Sequence, residues 1–439
     1  MVHVCGETKE TGVVVPEVIL PAKHVDLCKW AVVACDQWTQ DRRYWEETAA
    51  IAGDAPSTLN LVFPEIYLED GGKAARIRQI HETMRSDLAN GVFAPPESGF
   101  VYVERETTGG LRQGLIAAVD LECYDWKPEA RPLIRASEGT IEERLPPRME
   151  IRRAAPLELP HVMLLIDDEA DTLFGSLAGG TGPFAYDTEL MQGGGRVRGR
   201  FVRDPARVMA TLATLARSSP ERYGSPEPFL FAVGDGNHSL ATAKAVWEEY
   251  KTRHTGGLAG QGPRENPLRY ALVEIVNIYS PALRFEPIHR VLLGPSSNTI
   301  DPSGAIDLSS FKIRSLTSHA ALSALVRTKG NHTRFGVMQG NRYLLAEAAS
   351  PLLATAILDP ELEKVRAAHP ALTLDYIHGE QDLFALCREG TATGFLLPPF
   401  EKKGLFDTIA KTGPLPRKSF SMGEARDKRY YLEARRINA

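Results

Sequence analysis

The chain has no run of about 18 apolar residues, so no helix is expected to span a bilayer. It has only five cysteines, Cys5, Cys28, Cys35, Cys123 and Cys387, and none forms a Cys-x-x-Cys pair. An odd, scattered set argues against a disulfide framework or a structural zinc site, so reduced thiols and a cytoplasmic location are expected. Basic charge is not in excess. Lys and Arg number 51 against 56 Asp and Glu, and the net charge of -5 disfavours a general affinity for nucleic acid. Residues Met1 to Glu7 lack a charged segment followed by an apolar stretch, so no secretory signal is read there. The sequence also lacks internal repeats and low-complexity tracts. A hydrophobic fraction of 43% and 24% charged residues are ordinary for a globular chain of 439 residues. At ~150 residues per domain, that length suggests roughly two to three domains.

The stretch Pro228-Phe229-Leu230-Phe231-Ala232-Val233 is apolar, as a buried strand would be. Gly234 and Gly236 then break the extended run, and helix formers follow from Ser239 through Leu240, Ala241, Ala243 and Lys244. The pattern reads as strand, tight polar turn, helix. Such a turn aims free backbone N–H groups and the positive helix end at one point, which suits phosphate. Asp235, Asn237, His238 and Ser239 crowd that point, although a helix needs only one N-cap. The spacing is neither a Walker A loop nor Gly-x-Gly-x-x-Gly, and an ordinary β-to-α turn would explain it in isolation.

Elsewhere, Trp30 to Ala34 reads as a short buried strand, which puts Asp36 at a strand exit where α/β proteins often carry reactive groups. Asp36 or Thr39 as a helix cap is the simpler alternative. Leu59 to Pro64 also reads as a strand, residues 73–90 as a helix, and residues 100–105 and 112–120 as a strand pair. Residues 134–148 are dense in charge. Arg135, Arg144 and Arg148 could line an anionic pocket or lie on a solvated helix. Val162 to Ile166 is a strong strand candidate, and Asp167 and Asp168 at its exit would either bind a metal or cap a turn. Residues 255–266 form a glycine-rich loop, a lid or a connector, and residues 270–278 a further strand. His289 and Arg290 follow a proline turn, where such a pair is usually structural. The expected architecture is α/β with a mixed-sheet core and added α+β elements. It would comprise a layer over 1–130, a motif-bearing core over 131–298 and a C-terminal extension over 299–439.

Taken together, Ala34-Cys35-Asp36-Gln37, Glu138-Gly139-Thr140 with its arginines, Gly234-Asp235-Gly236-Asn237-His238 and Pro287-Ile288-His289-Arg290 resemble the family known as domain of unknown function 1015. Asp375-Tyr376-Ile377-His378 and Pro416-Arg417-Lys418-Ser419 match as well, so the resemblance spans almost the whole chain. The commoner family motif, Asp-Gly-His-His-Arg, is similar to motifs of the ParB/sulfiredoxin-like superfamily, which includes free serine kinase. Asp235, Gly236 and His238 match it, whereas Asn237 replaces a histidine and Ser239 replaces the arginine. The resemblance implies a small α/β core of ParB/sulfiredoxin-like type that holds nucleotide phosphates at this turn.

The functional expectation is phosphoryl transfer to a small hydroxyl-bearing metabolite, such as serine or phosphoserine, with ATP or ADP and Mg2+. Asp36, Asp235 and His238 would be catalytic, with Asp235 on the magnesium ion and Asp36 or His238 taking the hydroxyl proton. Gly234, Gly236, Asn237, Ser239, Glu138, Thr140, Arg144, Arg148, His289, Arg290 and Lys418 would bind phosphate or nucleotide. Two alternatives stay open. One is a nucleotide-binding regulatory module without turnover, and the other a metal-dependent hydrolase using Asp167, Asp168 and His238. A cysteine mechanism at Cys35 reads poorly, because a small buried hydrophobe is the simpler role. The expected partner is a small molecule, without nucleic acid or membrane, and a homodimer is left open.

Overall fold

The computed structural model describes residues 7–254, 266–294, 308–328, 330, 332–350, 352–399 and 402–438. The loop expected at 255–266 therefore lies almost wholly outside the described residues. The chain divides into two compact units. The first combines Met1–Leu283 with the C-terminal segment Gly423–Ala439, and the second is Arg284–Met422. These divisions differ from the expected boundaries at 130 and 298. The strand Tyr270–Asn277 pairs along its length with Gly110–Asp120, so the first expected boundary would cut through one sheet.

The first unit is built on a ten-stranded mixed sheet. Its neighbouring strands run Tyr186–Leu190, Gly195–Phe201, Val101–Thr107, Gly110–Asp120, Tyr270–Asn277, Met163–Ile166, Phe231–Asp235, Ile134–Ala136 and Tyr124–Asp125. Val13–Val14 pairs with Gly110–Asp120 off this path. Phe231–Asp235 is parallel to Ile134–Ala136 and antiparallel to Met163–Ile166. The α/β class is thus as read from the sequence. Phe231, Ala232, Val233, Leu164, Leu165 and Ile166 are fully buried, which is why these strands read as unbroken apolar runs. The helix Asn237–His254 buries Leu240, Ala241, Ala243, Val246 and Trp247.

Two expected strands are absent. Leu27–Trp30 is a short helix, because the Asp26 side chain caps it by accepting the Cys28 N–H at 3.0 Å. The apolar residues Ala31–Ala34 follow it in buried, extended form, with only Val33 bridged to Tyr430. At 58–60 the chain makes a 3-10 turn capped by Ser57. In both places a short polar cap overrides the apolar pattern.

The second unit holds a seven-stranded antiparallel sheet. Pro287, His289 and Arg290 lie inside its strand Phe285–Leu293, not after a turn. Pro287 is accommodated where that strand meets Phe420 at the short strand Phe420–Met422.

Candidate functional site

The motif turn begins with a bulge. Val233 pairs with Leu164 and Asp235 with Met163, so the register shifts across Gly234. A Cβ on Gly234 would lie 2.8 Å from Leu165 Cγ, so only glycine fits there. The bulge re-aims Asp235 out of the strand's ordinary alternation. Gly236 follows with φ +79°, in the left-handed region, and its Cβ would stand 3.1 Å from both Cα and Cγ2 of Val162. The turn thus packs directly on His161 and Val162, the residues entering the antiparallel neighbour strand.

Residues 31–34 run beside the returning C-terminal segment. The Ala34 N–H donates to the Arg429 carbonyl at 2.9 Å, and the Tyr431 N–H to the Val32 carbonyl at 2.9 Å. This backbone pairing delivers Lys428 and Tyr431 alongside Cys35 and Asp36. The result is a polar cluster around His161. Its Nε2 lies 3.4 Å from Asp36 Oδ2, and its Nδ1 lies 2.8 Å from the Tyr431 hydroxyl. Asp36 also accepts from Gln37 Nε2 at 3.0 Å, and the Tyr431 oxygen accepts the Cys35 N–H at 3.0 Å. Lys428 Nζ is 3.3 Å from Asp235 Oδ2, with both side chains largely buried. That oxygen nevertheless makes no geometrically formed hydrogen bond.

Electrostatics tie these groups together. Burial pushes the Asp36 carboxyl up, but the neighbouring His161, Gln37 and Lys428 outweigh it and hold the group below its usual range. Burial pushes the His161 imidazole down, while Asp36, and then Asp235 and Glu65, raise it on balance. The Cys35 thiol is pushed far up by burial and by Asp36, which keeps it protonated and unreactive.

The candidate residues of the first unit fall into three groups. Asp36 lies 3.4 Å from His161, and Asp235 acts on the same ring through its charge. Asn237 and His238 face the loop 137–141: Asn237 Nδ2 is 3.4 Å from Ser137 Oγ, and His238 Nε2 accepts the Ile141 N–H at 3.3 Å. Glu138 and Thr140 belong to that half-buried loop. Thr140 Oγ1 and Asn237 Oδ1 are buried without a hydrogen-bond partner. Ser239 sits half-buried in the first helical turn. Arg148, from the helix Leu145–Arg152, grips Glu65 through Nε at 2.9 Å and through its terminal nitrogen. Glu65 in turn donates its backbone N–H to the Cys35 carbonyl at 2.8 Å. Arg144 is exposed at the start of the Arg148 helix. Within the second unit, Arg290 is bound to Asp359, the His289 Nδ1 accepts the Leu397 N–H at 3.1 Å, and Lys418 is exposed with Nζ 4.6 Å over the Tyr376 ring.

The magnesium expectation can be tested on the donor set. Among the described residues no group of three or more His, Cys, Asp or Glu could hold a metal. The Asp235 oxygen that would bind one already faces the Lys428 ammonium. The residues do not fit a protein-built magnesium site. Nor do Asp167 and Asp168 form one. Asp168 caps the helix Thr172–Ala178 through the Leu173 N–H at 2.8 Å, and Asp167 accepts the Tyr223 hydroxyl at 2.5 Å. A separate cavity of about 10 Å³, lined by Arg105, Arg112, Glu274 and Arg429 among others, contains none of the candidate residues and has room for about one water.

His161, Lys428 and Tyr431 were not singled out by sequence reasoning. The available signal for His161 was its place at the head of an apolar strand, and the tail carried none.

The model of the family described as "Protein of unknown function (DUF1015)" matches residues 19–369. The chain belongs to this family. Lys428 and Tyr431 lie beyond the matched residues. No curated protein is similar to the chain. Among solved structures it is similar to free serine kinase in complex with AMP, at 8% identity and a TM-score of 0.38, over 72% of this chain and 90% of that one. It is also similar to SbnI from Staphylococcus aureus, at 10% identity and a TM-score of 0.34, over 70% and 82%. A conserved hypothetical protein from Pyrococcus furiosus gives 9% identity and a TM-score of 0.33, over 72% and 90%. Likenesses of this degree carry nothing over to individual residues. No helix of the described residues is long and apolar enough to cross a membrane.

Proposed function

We propose that the chain catalyses phosphoryl transfer between a nucleotide and the hydroxyl of a small metabolite such as serine. The observation that carries this reading is the Asp36–His161 contact at 3.4 Å, with Asp235 acting on the same imidazole through its charge, Lys428 beside Asp235, and the first turn of the helix Asn237–His254 immediately after it. Phosphoryl transfer asks mainly for positioning and charge stabilisation. The first turn of that 18-residue helix stands at its positive end, which suits a phosphate. Lys428 adds an ammonium beside the turn, in the role that an arginine at position 239 would otherwise fill. Asp36 keeps about a quarter of its side chain exposed and is held as a carboxylate, so it can accept a hydroxyl proton. Asp235 holds Lys428, and His238 ties the helix start to the loop 137–141. No step is assigned to a magnesium ion.

The test is direct. Full-length protein is incubated with serine and ATP or ADP, or with phosphoserine, with and without magnesium as the nucleotide counter-ion, and followed by phosphorus NMR. Turnover that disappears in Asp36→Asn supports the proposal. Tight nucleotide binding by calorimetry, with no product on long incubation, would replace it with a binding module.

A further inference from the structure

The cluster around His161 contains a path of polar contacts whose direction is fixed at its Asp36 end. The Cys35 backbone N–H can only donate, and it does so to the Tyr431 oxygen at 3.0 Å. The Asp36 carboxylate can only accept, and it lies 3.4 Å from His161 Nε2. Between them Tyr431 and His161 Nδ1 are 2.8 Å apart. The Cys35 N–H occupies only part of the acceptor capacity of the phenol oxygen and leaves its proton free to point either way. The Asp36 carboxylate decides the direction: it can face only a protonated Nε2, which leaves Nδ1 of the neutral ring bare to accept the Tyr431 proton. The path starts at residue 35 and ends at residue 36, closing a ring through the C-terminal segment.

We infer that His161 and Tyr431 are positioning residues for Asp36: the neutral His161 is held as its Nε2–H tautomer, with Tyr431 donating to the bare Nδ1, and the Nε2–H orients and holds the Asp36 carboxylate. The inference rests on the phosphoryl-transfer reading for its catalytic consequence, but the tautomer does not. Both side chains are buried, and the rings meet edge to face at 5.8 Å, so neither can turn away without repacking. The tail that ends the chain is thereby part of the working site. The charged groups facing the imidazole are Asp36 and Glu65 from the N-terminal loops and Asp235 from the motif strand, with Lys428 acting on Asp36 from the tail. The carboxylates favour the imidazolium as pH falls. Nδ1–H must then donate to Tyr431, whose hydroxyl rotates away. The tautomer is selected in the neutral form only.

The experiment is nitrogen NMR of the full chain labelled at its histidines, with His161 assigned by its loss in His161→Gln. Above the pH at which His161 titrates, the expected spectrum shows a bare Nδ1 and a protonated Nε2, and Tyr431→Phe should shift the Nδ1 resonance toward that of a nitrogen that accepts no hydrogen bond. A neutral His161 protonated on Nδ1 in the unaltered protein overturns the inference, and so does an Nδ1 resonance unchanged in Tyr431→Phe. Should Tyr431→Phe fail to fold, the unaltered spectrum decides alone. This readout needs no turnover, so absence of phosphoryl transfer would sink the functional reading and leave the tautomer result standing. Where turnover is present, Tyr431→Phe and His161→Gln should lower kcat by about 10- to 100-fold, the usual scale for partners that orient a reacting group, with KM little changed. In His161→Gln the acid limb of the rate profile should move to higher pH. A profile superimposable on that of the unaltered enzyme counts against the positioning role.

Discussion

Lys428 reaches from the C-terminal segment to within 3.3 Å of Asp235, at the turn between the motif strand and its helix. The ammonium is flanked by Asp235 on one side and acts electrostatically on Asp36 on the other. If it stands in for the cation that Ser239 does not supply, Lys428→Met should weaken nucleotide binding at least about tenfold, or ~1.4 kcal/mol. Lys428→Arg should restore much of that loss, because a cation of similar reach returns. Titration calorimetry with ADP measures both. Equal affinity in Lys428→Met and the unaltered protein would remove Lys428 from the binding site.

Gly236 tests the turn from another direction. A Cβ there would meet Val162 backbone and side chain at 3.1 Å, in a backbone conformation that L side chains resist. Gly236→Ala should cost about 1–3 kcal/mol of stability, read from the urea midpoint. It should also push the turn off His161 and weaken nucleotide binding. Gly224, in the same left-handed region with nothing within 4 Å of its Cβ, is the control. Gly224→Ala suffers only the backbone strain, so it should lower the midpoint without touching nucleotide affinity.

The contrast between these glycines bears on what could be read from sequence. The strand-turn-helix motif was legible because Phe231–Val233 is apolar on both faces and Gly234 and Gly236 interrupt it. The α/β class followed from several such runs. Asp36 stood out through its place after an apolar stretch and through the family segment Ala34-Cys35-Asp36-Gln37, and that stretch proved extended without being a sheet strand. His161, Lys428 and Tyr431 were illegible for a different reason. They reach the turn through the antiparallel register of Met163–Ile166 against Phe231–Asp235, and through a tail that returns to residues 31–34. Neither pairing has a local signature. The family segment Pro287-Ile288-His289-Arg290 read as a proline turn, because nothing local shows that Pro287 sits at a sheet position that tolerates it.

The Asp36–His161 pair predicts a particular pH dependence of stability. Asp36 titrates lower in the folded chain than unfolded, so its contribution is present above the unfolded carboxylate value of about 3.9 and is lost as pH falls through the folded value. His161 titrates higher when folded, so its contribution is full below about 6.5 and is lost as pH rises through the folded value. The stability difference between the unaltered protein and Asp36→Asn should therefore be largest between roughly pH 4 and 6.5 and shrink on both sides. Urea unfolding across this range measures it. A difference that is flat with pH would show that the two groups do not titrate as a pair.

Arg290 offers the clearest case of a family-motif residue whose chemistry is structural. The side chain has no solvent exposure. Its Nε and one terminal nitrogen hold Asp359 at 2.9 and 2.6 Å, and that nitrogen also reaches the Arg417 carbonyl at 3.4 Å. The other terminal nitrogen donates to the carbonyls of Ile288 and Lys418. All five guanidinium protons are thus engaged inside the second unit. The group joins the strand Phe285–Leu293, the helix Ala354–Ala368 and the loop before Phe420. Arg290→Met should leave the Asp359 carboxylate buried without its partner and destabilise the chain by about 3–5 kcal/mol. Arg290→Lys should recover little, because an ammonium cannot reproduce the planar fork. Adding Asp359→Leu to Arg290→Met should return part of the loss, since the stranded charge is removed with it. Hydrogen exchange in residues 285–293 and 354–368 localises the effect. A double variant no more stable than Arg290→Met would show that the carbonyl contacts, and not the ion pair, carry Arg290's contribution.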